Sequence, residues 1–324
     1  MRVLVVGGTR FVGRHLVEAA IAAGHDVTLL HRGRSGSDLF PQADHRLADR
    51  NDSPALAEAL ADGEWDATID VSAYRPRQVT SLADALDGRG GAYVYVSSAS
   101  VYNPVTTGFA EDGRLFDEIL PPPEEITNTT YGPLKVSCER IARERFADSL
   151  VVRPTYVVGP WDHSGRFDYW VHRVARGGEI LAPGSEDDPL QVIDARDQAA
   201  FVMSALRDGR LGTFHLVGAS ATYTFGQLLR DIAVGVGTAS PVITWVDNAF
   251  LLAEGETADS VPLWSAGDPV EDLASTADPA ASLAAGLTVR SVSESARDVL
   301  AGGSAPAGFL TPERETELLA RRRA

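Results

Sequence analysis

The apolar run Val3-Leu4-Val5-Val6 stops at Gly7-Gly8-Thr9-Arg10-Phe11-Val12-Gly13, after which Val12, Leu16, Ala19, Ala20 and Ala23 recur at helical spacing up to Gly24. A fully apolar strand feeding a helix through a glycine turn must be covered on both faces, and the next strand then returns parallel to it. The following residues keep to that plan. Val27 to Leu30, Ala67 to Val71, Ala92 to Val96 and Val151 to Arg153 are further apolar runs separated by helical patterns, and Thr213 to Val217 follows a helical stretch from Asp197 to Leu206. The alternation predicts an α/β fold built on a doubly wound parallel sheet.

Two stretches break the alternation, Trp161 to Pro189 and everything after Ala219, and Trp161, Trp170, Trp245 and Trp264 all fall in them. In a chain of 324 residues this predicts a dinucleotide-binding domain of the Rossmann type from residues 1–160 and 190–218. Residues 161–189 and 219–324 are expected to form a smaller C-terminal substrate-binding lobe over the carboxyl edge of the sheet, where open α/β folds bind ligands. Glu254 to Asp278 is acidic and loop-like, and reads as solvated surface.

The formal charge of −16 repels phosphate backbones, so no nucleic-acid partner is expected. Arg321-Arg322-Arg323 is too short to reverse this and suits the end of a helix begun at Thr311-Pro312-Glu313. A single cysteine, Cys138, excludes an intramolecular disulfide and reads as a small buried hydrophobe. No Cys/His spacing suggests zinc, so no metal is expected, and His163 and His172 with Asp162, Arg166 and Asp168 read as solvated polar residues, with a ligand-binding loop as the alternative. The first apolar run is too short for a signal peptide or a membrane span, and a cytoplasmic location with no membrane partner is expected.

In the glycine turn, Gly7 allows the tight bend and Gly13 allows close helix–strand contact, while the helix N-terminus offers free N–H groups to a pyrophosphate. A ribose with a free 2′-hydroxyl is normally held by an acid about 20 residues further on. Here Leu30-His31-Arg32-Gly33-Arg34 follows, with no carboxylate before Asp38. Guanidinium binds a 2′-phosphate and a carboxylate would repel it, so NADP(H) is favoured, with Arg32 and Arg10 as its clamp. NAD(H) stays open as the alternative.

Lys135 is the one lysine among 29 lysines and arginines. It lies four residues after Tyr131, so the two share a face of a helix expected to begin near Tyr131, with Pro133 in its first turn. A nearby ammonium would lower the pKa of a phenol toward the working range of an acid–base group. Ser97, Ser98 and Ser100 follow the run that ends at Val96, and a hydroxyl at that strand end can hydrogen-bond a substrate carbonyl.

Gly7 to Gly13, Ser98 with Val101-Tyr102, Tyr131-x-x-x-Lys135, and Arg153-Pro154 followed by Gly159-Pro160 together resemble the extended short-chain dehydrogenase/reductases, the NAD-dependent epimerase/dehydratase family. The resemblance runs in order to about residue 218. It implies an NAD(P)-dependent oxidoreductase or epimerase with Ser98, Tyr131 and Lys135 as catalytic triad. Asp49 would contact the adenine, Arg32 the 2′-phosphate and Pro154 the nicotinamide, and Thr9, Phe11, Val12 and Ser72 join them among the cofactor-binding residues. It also implies a small-molecule substrate, a nucleotide sugar or a similar polyol or carbonyl compound, and a homodimer. Two features depart from the usual pattern. Arg10 replaces a central glycine, giving GGTRFVG, similar to an atypical branch that includes chloroplast stem-loop RNA-binding proteins. Ala99-Ser100 stands where dehydratases carry Asp-Glu, so water elimination is not expected. Carbonyl reduction and epimerisation both remain, and an RNA-binding or cofactor-sensing protein is the non-enzymatic alternative.

Overall fold

The computed structural model describes residues 1–104, 106–218, 220–303 and 305–323; Ala219 and Ala324, which bound the second lobe expected from sequence, lie outside the described residues. The first half alternates as β1 (Arg2–Val6), α1 (Phe11–Ala22), β2 (Asp26–His31), β3 (Asp44–Leu47), α2 (Ser53–Leu60), β4 (Ala67–Asp70), α3 (Pro76–Leu86), β5 (Ala92–Val96), α4 (Asn128–Arg145) and β6 (Ser149–Pro154). There follow β7 (Tyr156–Val158), α5 (Arg166–Arg176), β8 (Glu179–Pro183), β9 (Val192–Asp194), α6 (Ala195–Arg207) and β10 (Gly212–Leu216). The remainder holds α7 (Phe225–Val236), β11 (Val242–Val246), α8 (Asn248–Ala253), α9 (Pro269–Ala274), α10 (Ala280–Ala284), α11 (Val292–Gly302) and α12 (Pro312–Arg323).

Seven parallel strands form the central sheet in the order β3-β2-β1-β4-β5-β6-β10. The order reverses between β1 and β4, and a doubly wound sheet opens its ligand crevice at that switch point. Val6 pairs with both Leu30 and Asp70, which brings the ends of β1, β2 and β4 to one level at the carboxyl edge. Successive strand residues face opposite sides. Val3, Val5, Leu29, Ile69 and Val94 pack with α1 and α6, whereas Leu4, Val6, Leu30, Tyr93 and Tyr95 pack with α2, α3 and α4.

A separate core gathers Phe167, Trp170, Leu228, Ile232, Trp264 and Leu318 around the parallel pair β8–β11. Ala285 and Leu287, although late in the chain, pack with the sheet instead. The edge strand β3 carries Asp44, His45, Arg46 and Leu47, none of them buried. An edge needs only one neighbour and tolerates polar residues, which is why no apolar run announces it. Among the described residues no helix is long and apolar enough to cross a membrane.

Candidate active site

A cleft of about 1260 Å³ runs along the carboxyl edge of the sheet. Every residue singled out from sequence as a site residue lines it: Gly7, Thr9, Arg10, Phe11, Val12, Gly13, Arg32, Asp49, Ser72, Ser98, Tyr131, Lys135 and Pro154.

The glycine turn is as tight as the spacing requires. Gly7 has φ +93°, and a Cβ on Gly13 would collide with the Gly7 carbonyl oxygen. The N-cap of α1, Arg10, makes no side-chain capping bond, and the first N–H groups of a helix have no partner within it. Those donors face the cleft and suit an anionic group. Across from them, Arg32 follows directly on β2. Gly33 donates its N–H to His31 Nδ1 (3.1 Å), so His31 Nε2 carries the proton and donates to His45 Nδ1 (2.9 Å), tying the loop to β3. The Asp49 carboxyl is held below its usual range by the Asn51 backbone N–H, with Arg32 and Arg34 adding to the effect.

Arg50 also lines the cleft, and no sequence motif marks it. It grips buried Asp70 through two bonds of 2.6 and 2.7 Å and donates to Ser72 Oγ at 2.8 Å. The hydroxyl of Thr155, beside Pro154, is buried without a hydrogen-bond partner and belongs to the same cleft, a position suited to a polar ligand.

Helix α4 begins earlier than expected. Thr127 caps it in a reciprocal pairing with Thr130, and Pro133 therefore lies inside the helix, beyond its first turn. Tyr131 and Lys135 still share a face. The Lys135 ammonium, 2% exposed, donates to the carbonyls of Ala73 (3.1 Å) and Val96 (2.9 Å). It sits 4.8 to 5.8 Å from the ring centres of Tyr95, Tyr74 and Tyr131. A compact ammonium fits between a loop carbonyl, a strand-end carbonyl and three ring faces, and a planar guanidinium would not. This accounts for the single lysine.

The expected lowering of the Tyr131 pKa is not found. Burial pushes the phenol up, while the nearby Ser98 hydroxyl and the Arg166 charge pull in the opposite direction. Lys135 is itself pushed down by burial. The three strand-end serines separate cleanly. Ser98 donates to Ser100 Oγ (3.0 Å) at the start of the short turn Ala99–Val101, whereas Ser97 is buried and donates to Glu139 Oε1 (2.6 Å). Cys138 is buried, its thiol pushed up to about 11 by burial.

The far wall corrects two sequence expectations. His163 and Arg166 line the cleft instead of free surface, and Arg166 forms no ion pair among the described residues. From Glu254 to Asp278, expected to be solvated loop, come buried Val261, Leu263 and Trp264, helix α9, and the cleft-lining Asp259, Asp268 and Glu271. Tyr156 donates to Glu271, whose carboxyl is pushed up by enclosure in the wall and by Asp268 and Asp272.

A family model described as the NAD dependent epimerase/dehydratase family matches residues 3–217. The chain belongs to this family. Among relatives, the chloroplast stem-loop binding protein of 41 kDa b from Arabidopsis thaliana is 26% identical over 259 residues, covering 75% of this chain and 65% of its own length. The chain thus spans less than two thirds of that relative. The 2′-dehydrokanamycin reductase of Streptomyces kanamyceticus is 27% identical over 220 residues, 65% of this chain and 59% of that one. The same fold occurs in the Bordetella bronchiseptica enzyme WbmG in complex with NAD and UDP, with TM-score 0.68, 18% identity and coverage of 93% and 94%. It also occurs in the UDP-glucose 4-epimerase of Thermotoga maritima with UDP-glucose, with TM-score 0.67, 17% identity and full coverage of both chains. Membership of the family agrees with the resemblance read from Gly7 to Pro160 and with the parallel sheet.

Proposed function

We propose that this family member is an NADP(H)-dependent oxidoreductase acting on a carbonyl or alcohol of a polyhydroxylated compound. The observation that carries the reading is the convergence of Ser98, Tyr131 and Lys135, from two distant segments, on the cleft that the Gly7–Gly13 turn opens. Gly7, Thr9, Phe11, Val12 and Gly13 would hold the pyrophosphate, Asp49 and Ser72 the adenosine half, and Pro154 the nicotinamide. Arg10 and Arg32 would clamp the 2′-phosphate. The bound cofactor would exchange a hydride with the substrate carbon.

Ser98 donates to the substrate oxygen, and Tyr131 gives that oxygen its proton in reduction or takes it in oxidation. An ammonium has three donors, and two of those on Lys135 are held by carbonyls, so one remains for the ribose beside the phenol. The same parts serve carbonyl reduction and the transient oxidation of an epimerase.

The far wall bears on the substrate. Asp259, Asp268 and Glu271 face one arginine, Arg166, and none of the three carboxylates is ion-paired among the described residues. A diphosphate would add negative charge to that wall, whereas an uncharged or amine-bearing polyol would not. The similarity to the 2′-dehydrokanamycin reductase supports the latter. The name of the chloroplast relative favours RNA binding as a second reading, which the charge of −16 and the acidic wall oppose.

The test is NADPH oxidation over a panel of amino-sugar ketones, neutral polyol ketones and 4-keto nucleotide sugars, with a fluorescence titration of NADPH and NADH. Turnover of a polyol ketone with tighter NADPH binding is expected. Salt-dependent RNA gel shifts without any NADPH oxidation would favour the second reading.

A further inference from the structure

Glu139 lies four residues past Lys135 and eight past Tyr131, on the same side of α4. It is 1% exposed, and a carboxylate is rarely so buried unless it is paired. Its Oε1 accepts from Ser97 Oγ (2.6 Å) and Arg153 Nε (2.9 Å), and its Oε2 from Arg153 Nη2 (2.6 Å) and Arg143 Nη2 (3.1 Å). Ser97 directly precedes Ser98, and Arg153 directly precedes Pro154. One carboxylate therefore ties together the three segments that carry the proposed chemistry: the helix of Tyr131 and Lys135, the end of β5 and the end of β6.

The network continues beyond the ion pair. Arg153 Nη1 donates to the Tyr102 hydroxyl (2.5 Å) and to the Glu111 carbonyl (2.8 Å). His215 Nδ1 lies 2.9 Å from the Asp278 carbonyl, which only accepts, so Nδ1 bears the proton and Nε2 accepts from Tyr102 at 2.5 Å. Burial pushes the His215 pKa down. Tyr102 in turn lines the cleft. A buried ion pair is a poor source of stability compared with apolar side chains of the same volume. What a bidentate pair supplies is a fixed direction and distance.

Resting on the reading under Proposed function, we propose that Glu139 is a positioning residue: with Arg153 and Ser97 it sets the distance between the Ser98 and Tyr131 hydroxyls.

The test uses the full chain with NADPH and whichever ketone of the panel is turned over. The double variant Glu139→Leu with Arg153→Met replaces the pair by apolar side chains, and Ser97→Ala removes one bond while leaving the pair intact. A misplacement of about 1 Å costs on the order of 100-fold, so the double variant is expected to lose about 100-fold in kcat at native melting temperature and unchanged NADPH affinity. Ser97→Ala is expected to lose roughly threefold to tenfold by the same effect, and it alone decides the matter should the double variant not accumulate. A purely structural role would return kcat to wild type once stability is restored. Wild-type kcat in the folded variants, with Tyr131→Phe inactive, would overturn the inference and leave the proposed reaction standing. Full activity of Tyr131→Phe would overturn the proposed reaction itself.

Discussion

The cofactor side of the cleft is built largely from backbone, whereas its far wall is built from side chains. On the first side, a left-handed glycine, a helix N-terminus without a side-chain cap and the ends of β1, β2 and β4 form a surface shaped for a phosphate chain, with arginines at its rim. On the second, Tyr156, Arg166, Asp259, Asp268 and Glu271 come from segments about a hundred residues apart. Backbone shape is set by few residues in a fixed order and tolerates little change. A side-chain wall can change its charge without disturbing the fold, and there the substrate would be selected.

The most severe way to break this contrast is to add one carbon to the backbone side. Gly13→Ala places a Cβ against the Gly7 carbonyl, and overpacking of this kind costs about 3 kcal/mol. Loss of NADPH fluorescence enhancement and a lower melting temperature are expected together. Next comes Arg32→Ala, which would remove the proposed charge-assisted contact to a 2′-phosphate and is expected to weaken NADPH roughly 10- to 100-fold. NADH affinity should barely move, and an equal loss for both cofactors in the titration would remove Arg32 from the clamp.

On the far wall, Asp268→Asn with Glu271→Gln should raise KM for an amine-bearing ketone roughly fivefold, as exposed charge contacts are weak. A neutral ketone should show no change, and kinetics on the two side by side sharpen the comparison. The smallest effect is on stability. Asp168, in the first turn of α5, has its carboxyl pushed up to about 6 by burial and by Asp162. The folded chain thus binds that proton more tightly than the unfolded chain, so stability falls as pH rises from the ordinary carboxylate range through 6. Asp168→Asn should therefore raise the melting temperature by about 1–3 °C at pH 7.5 and leave it unchanged near pH 4.

The same contrast explains what could be read from the sequence. Gly7 to Gly13, Arg32, and Tyr131 with Lys135 are local patterns, each carried by one turn or one helix face, and all line the cleft. The start of α4 at Asn128 was hidden because Pro133 suits a first turn better than the interior where it sits. Arg50 gave no signal, since its partners Asp70 and Ser72 lie on another strand end. The acids of residues 259–271 resemble any solvated loop until the cleft surrounds them. Glu139 was equally silent, and so was its pairing with Arg153, because that pair joins a helix to a strand.

The central claim is that the Tyr131 phenol exchanges a proton with the substrate oxygen beside a cofactor held by the glycine turn. The most direct test is Tyr131→Phe, with kcat and NADPH affinity measured separately. A fall in kcat of about 10²- to 10⁴-fold at unchanged NADPH affinity is expected, whereas turnover equal to wild type would contradict the claim.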